Sequence, residues 1–142
     1  VASIASTATI GVKTSLPTTG SFGGVFCRYL DTSNFYLLHI ATNSVMQIYS
    51  KVAGTFTALT PGVSVAAAAG DTLQLNANGS TLTSFYNGIQ KETVTDANFL
   101  AGLAGLRLYN QINFDNFLCD DLAVVPGGEL LGYLKQSKFW GA

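Results

Sequence analysis

Residues 72–94 read TLQLNANGSTLTSFYNGIQKETV, with two Asn-Gly pairs, Asn78-Gly79 and Asn87-Gly88, each set between strand-like runs. A type I′ turn needs φ > 0 at both central residues, and its twist matches that of paired strands; Asn and Gly tolerate this conformation best. Two such turns predict a three-stranded antiparallel meander over 71–78, 81–86 and 89–94. In its first run Leu73, Leu75 and Ala77 alternate with Thr72, Gln74 and Asn76, the pattern of a strand with one buried and one wet face. Alternation of this kind fixes the register, because a slip of one residue would turn the apolar set toward water.

Outward from the meander the chain keeps the same character. Short runs of β-branched and aromatic residues lie between Gly, Asn, Asp and Pro, predicting further strands over 2–12, 22–30, 35–41, 45–52, 55–59, 103–109 and 114–124. The reading is all-β, with one helical turn expected at Thr95-Asp96-Ala97-Asn98, where Thr95 or Asp96 would serve as N-cap. In the run at 35–41 both faces are apolar: Phe35, Leu37 and His39 on one, Tyr36, Leu38 and Ile40 on the other. Such a strand is either covered on both sides or lends its second face to a ligand, and cover by a loop or by the C-terminal tail is the expectation.

With 142 residues the chain has the size of one domain, and 48% hydrophobic against 11% charged residues gives ample material for a core. The net charge of -1, with Lys and Arg scattered, provides no field for a phosphate backbone, so no nucleic-acid partner is expected. The longest apolar stretch, around 63–69, is far short of the roughly 20 residues a spanning helix needs, so no membrane insertion is expected. The first residue is Val, which suggests a processed or trimmed product. Cys27 and Cys119 are too few for a metal motif, and a bridge between them is left open.

Catalysis is weakly served. A retaining glycosidase flanks its bond with two carboxylates about 5 to 5.5 Å apart. The only glutamates are Glu92 and Glu129, and Glu92 has no carboxylate two residues away. The only histidine, His39, has no nucleophile elbow to work with, and Cys27 reads as a small buried hydrophobe. The protein is expected not to be an enzyme. Aromatic platforms are what sugar binding needs, and Tyr29, Phe35, His39, Tyr49, Tyr86 and Tyr109 are the candidates to line such a site.

A family likeness gathers these features. Gly24-Val25-Phe26-Cys27-Arg28-Tyr29 followed by Asp31-Thr32-Ser33-Asn34-Phe35-Tyr36, then Gly70-Asp71-Thr72-Leu73, Asn87-Gly88, and the closing Phe114-Asp115-Asn116-Phe117, resemble in content and order the motifs of laminin G-like domains. These belong to the concanavalin A-like lectin and glucanase superfamily. The resemblance covers roughly 2–125 and implies a two-sheet antiparallel β-sandwich, a jelly roll, over 1–125. It also implies Ca²⁺ as the one candidate ion, with Asp31 and Asn34 as ligands; no other cofactor is expected. Members usually carry additional strands ahead of the first one here, so either the chain is a compact variant or a neighbour or further segment completes an edge.

The segment 126–142 lies outside the likeness. Leu130, Leu131, Tyr133, Leu134, Phe139 and Trp140 make it apolar, and it is expected to dock on neighbouring subunits, giving a homo-oligomer. Two roles compete. The favoured one is a structural or adhesion module on an assembly such as a phage virion, where it would decorate a shell, fibre or tail and take glycans as further partners. The alternative is a carbohydrate-binding, lectin-like module of a secreted or cell-surface protein. Either role places it outside cells or on a virion surface.

Overall fold

The structure, a computed structural model, describes residues 3–10, 22–41, 44–107, 114–124 and 130–131. The elements are β1 (Ser3–Ile10), β2 (Phe22–Asp31), β3 (Asn34–Ala41), β4 (Val45–Val52), β5 (Thr55–Ala58), β6 (Val63–Ser64), β7 (Thr72–Asn78), β8 (Thr81–Tyr86), β9 (Ile89–Thr95), β10 (Leu103–Arg107), β11 (Phe114–Val124) and β12 (Leu130–Leu131). They form two antiparallel sheets, ordered β12-β11-β1-β7-β8-β9 and β10-β2-β3-β4-β5, with β6 also paired to β4. The two-sheet jelly-roll sandwich is therefore as the sequence implies.

The meander forms as predicted, with one shift of detail. Tyr86 pairs Ile89 across Asn87-Gly88, whose φ values of 49° and 77° suit a type I′ turn. At the other hairpin Asn78 pairs Thr81, so the central residues are Gly79 and Ser80, and of these only Gly79 has positive φ. That is the pattern of a type II′ turn with glycine first, not a second type I′ turn on Asn78-Gly79. A further two-residue turn at Ala53-Gly54, with φ of 48° and 85°, closes β4 onto β5.

The core lies between the sheets. Leu73, Leu75 and Ala77 of β7 and Leu82 of β8 meet Val25, Cys27, Tyr36, Leu38, Ile40, Met46 and Ile48 from β2, β3 and β4. Cys27 and Cys119 are not joined in a disulfide, and burial, the dominant influence, pushes the Cys27 thiol up to about 12. The expected helical turn at 95–98 is absent. Asp96 instead accepts the Asn98 amide at 2.9 Å, an Asx turn, while Phe99 is buried and its amide donates to the Tyr36 hydroxyl at 3.1 Å. This anchoring fixes the bent segment through Tyr36 of the other sheet.

Glu92 also joins the layers. Its carboxylate, on β9, accepts the Thr60 hydroxyl and the Gly62 amide, both at 2.9 Å, and Thr60 Oγ1 in turn accepts the Ile48 amide at 3.0 Å. The described part of the apolar C-terminal segment, β12, pairs with Ala123 and Val124 at the edge of the six-stranded sheet. Tyr133, Leu134, Phe139 and Trp140 lie outside the described residues, and so does Tyr109.

Candidate functional site

The face of the β10-β2-β3-β4-β5 sheet turned away from the core is built in rows set by strand register. One row runs Gly105, Phe26, Leu37, Tyr49. A second runs Phe35, Lys51, Phe56, and a third Arg107, Gly24, His39, Gln47. Partners directly opposite one another share a face, so each row places its side chains side by side.

Tyr29 joins them through a break in the alternation. With Val25 and Cys27 in the core, strict period two would send Arg28 outward and Tyr29 inward. Register instead slips on both sides of β2 beyond Phe26 and Cys27, and Arg28 has a φ of 51°, so the strand bulges. Arg28 turns inward, 1% exposed, and donates to the carbonyls of Gly79 and, at 3.0 Å, Phe99. Tyr29 is thereby re-aimed onto the outer face, its ring 5.1 Å from Phe26 and 5.6 Å from Phe35.

The result is a continuous aromatic surface. Phe35 lies 6.0 Å from both Phe26 and Phe56, Tyr49 lies 6.3 Å from Phe56, and the His39 ring meets Tyr49 edge-on at 5.4 Å. Edge-to-face pairs of this kind contribute about 0.5–1.5 kcal/mol each beyond area burial and hold the rings in fixed attitudes. Gly105 is part of the construction, since a Cβ there would fall 2.3 Å from the Phe26 ring; without one, Phe26 lies flat over the neighbouring strand. Phe56, 39% exposed, is the most open ring of the group.

Two open recesses flank this surface. One of about 310 Å³ is lined by Leu37, His39, Tyr49, Phe56 and Arg107. The other, about 390 Å³, includes Phe26, Tyr29, Phe35, Lys51 and Arg107 in its walls. Lys51 Nζ stands 4.9 Å from the centre of the Phe56 ring and 5.6 Å from that of Phe35, while Arg107 Cζ is 5.0 Å from Phe56. His39 is neutral at neutral pH: burial first, and then the positive Arg107, bring it down to about 4. The Tyr49 hydroxyl donates to Gln47 Oε1 at 2.8 Å, and Gln47 donates through its amide to the Thr60 carbonyl, which fixes that edge.

Of the residues picked from sequence, Tyr29, Phe35, His39 and Tyr49 come together here. Tyr86 does not. It belongs to the other sheet, where the alternation of β8 sends it inward with Leu82 and Ser84, and its hydroxyl donates to Asp71. Asp31 and Asn34 close the β2–β3 turn: Asp31 accepts from the Ser33 amide at 2.7 Å and from Asn34 Nδ2 at 2.9 Å, while Asn34 Oδ1 accepts the Ala53 amide at 3.0 Å. No group of three or more His, Cys, Asp or Glu able to hold a metal occurs among the described residues. The sequence reading overlooked Phe26, Phe56, Lys51 and Arg107. Phe35, Leu37 and His39 are buried, and the C-terminal tail named as a possible cover for them lies, apart from Leu130 and Leu131, outside the described residues.

No model of a known protein family and no curated protein sequence matches the chain. Solved structures do. The carbohydrate-binding module CBM66 from Bacillus subtilis superposes with a TM-score of 0.69 at 16% identity, over 84% of this chain and 75% of that one. Sheep galectin-11, solved in complex with glycerol, superposes with a TM-score of 0.57 at 8% identity, over 82% of this chain and 89% of that one. At such identities the likeness is one of fold, a two-sheet antiparallel jelly-roll sandwich, and it does not show the laminin G-like resemblance of the sequence.

Proposed function

We propose that the protein is a non-catalytic, lectin-like glycan-binding module whose site is the outer face of the β10-β2-β3-β4-β5 sheet. The observation that carries this is the fixed aromatic surface of Phe26, Tyr29, Phe35, Tyr49 and Phe56, bordered by two recesses. A sugar ring offers an apolar C–H face and a polar rim. Rigid rings take the first, and the Tyr49, Gln47, His39 and Arg107 groups at the margins suit the second. A carbohydrate-binding module and a galectin among the structural neighbours support the same reading. It displaces the virion component that sequence alone favoured.

Assembly has one observation in its favour. Leu30 and Leu103 are 59% and 71% exposed, and Leu103 pairs with the neighbour of Leu30 on β2. A docking patch there, on an extracellular or particle surface, is compatible with glycan binding on the adjoining face.

A glycan array probed with the full chain, followed by calorimetry on the best hit, tests the proposal. Wild type is expected to bind selectively, and Phe56→Ala to weaken the hit about tenfold or more while leaving the melting temperature within a few degrees. A folded chain that retains no glycan refutes it.

A further inference from the structure

The charges on this face are one-sided. Lys51 and Arg107 stand within 4.9 and 5.0 Å of the centre of the same Phe56 ring, so they are no more than about 10 Å apart. No described acidic residue accompanies them. The carboxylates whose side chains are described are engaged elsewhere: Asp31 in its own turn, Asp71 with Tyr86 and Asn87, Glu92 between the sheets, and Asp96 with Tyr36 and Asn98. Positive charge is thus gathered on one face of a chain whose net charge is -1.

Neither cation is used up where it stands. Lys51 donates to the Thr32 carbonyl at 2.8 Å, which leaves two of its N–H groups for another acceptor. Arg107 lies against the Phe56 ring and has no hydrogen-bond acceptor among the described residues, so its planar fork of donors can serve a ligand. Lying against an aromatic ring, such a cation keeps its affinity for an anion while the ring fixes its position.

We propose that the glycan taken by this face is acidic, with uronic-acid carboxylates placed at Arg107 and Lys51 while the sugar rings lie on Phe56 and its neighbours. The proposal rests on the glycan-binding reading above and names its ligand class. Two cations each about 5 Å from the centre of one ring suit one carboxylate per sugar, with the Arg107 fork donating two hydrogen bonds to it. A densely sulfated chain calls for a tighter basic cluster than this face presents.

The test is calorimetry of the full chain at low salt with tetragalacturonate, with the same oligosaccharide carboxyl-reduced to its neutral form, and with a heparin tetrasaccharide. The acidic tetramer is expected to bind about tenfold tighter than the neutral one, an advantage that shrinks in 0.5 M salt. Arg107→Gln and Lys51→Gln are each expected to lose about threefold to tenfold more on the acidic tetramer than on the neutral one, whereas Phe56→Ala weakens both alike. Equal binding of the two tetramers, still sensitive to Phe56→Ala, overturns the acidic ligand and leaves glycan binding standing. Preference for heparin over the uronide also overturns it. Failure of every glycan on the array overturns both proposals together.

Discussion

Replacing Glu92 by alanine should destabilise the fold by about 2–3 kcal/mol without touching the binding face. The carboxylate, 9% exposed, accepts two hydrogen bonds at 2.9 Å, from the Thr60 hydroxyl and the Gly62 amide, and so ties β9 of one sheet to the segment that follows β5 of the other. Hydrogen bonds to a charged group are worth about 1.5–3 kcal/mol each, so removing two forfeits about 3–6 kcal/mol. Part of this is returned, because alanine escapes the cost of holding a carboxylate nearly out of water. Glu92→Gln keeps the shape and one acceptor, turns its NH₂ toward Thr60 Oγ1 and should cost only about 1–2 kcal/mol. Urea unfolding followed by far-UV circular dichroism at pH 7 measures both, and the alanine variant should melt roughly 5–10 °C below wild type. If the alanine variant is as stable as wild type, or less perturbed than the glutamine variant, the bridge between the layers is not what Glu92 provides. Loss of glycan affinity at unchanged stability would place it in the site instead.

Gly24→Ala puts a Cβ 1.8 Å from the Leu38 carbonyl oxygen, so β2 and β3 cannot both keep their places; a loss of about 3 kcal/mol or more is expected, and an unchanged melting temperature would contradict the close approach. Asn87→Ala forces alanine to a φ near 49° and removes the acceptor of the Thr72 amide at 2.8 Å, for a loss of about 2 kcal/mol, of which Asn87→Gly should recover the backbone share; denaturant midpoints compare the two. Stability should also fall in acid. The native state holds His39 down to about 4 whereas the unfolded chain takes its proton near 6.5, so stability drops as the pH falls from about 6.5 to 4, by no more than about 3 kcal/mol, and is flat for this group below that. Burial alone would raise Asp96, but hydrogen bonds from Tyr36 and Asn98 outweigh it and hold the carboxyl below its ordinary value, so its contribution is lost only at still lower pH. Denaturant midpoints at pH 7.5 and 4.5 should differ in wild type and converge in His39→Gln; equal midpoints in wild type would show that His39 is not held neutral.

Where local chemistry dictates conformation, the sequence is sufficient. The Asn87-Gly88 turn, the alternation of Leu73, Leu75 and Ala77, and the two apolar faces of β3 all follow from rules that act within a few residues, and all are found in the fold. The Asn78-Gly79 pair is instructive because Gly-Ser serves a two-residue hairpin equally well, and the pairing of Asn78 with Thr81 decides between them. Ala53-Gly54 went unread because alanine seldom accepts positive φ; here Asn34 accepts the Ala53 amide, and the Gly54 amide donates to the Ser33 carbonyl at 3.0 Å. That turn is what sets Lys51 opposite Phe56.

The site was half legible for the same reason. Tyr29, Phe35, His39 and Tyr49 are aromatic or ring residues in strands, but whether each faces the core depends on register and bulges that only the assembled sheet determines. Tyr86 and Tyr29 illustrate the two failures of period-two counting: the first is aromatic and interior, the second is interior by counting and exterior in fact. The difference is the bulge at Arg28, where an inward guanidinium donates to Gly79 of the opposite layer. A contact between sheets thus determines which aromatic ring reaches the outer face proposed to bind glycan, so the positioning of Tyr29 depends on the β7–β8 turn, which lies in the other sheet. Substituting Arg28 should therefore disturb the outer surface before it disturbs any residue that lines it.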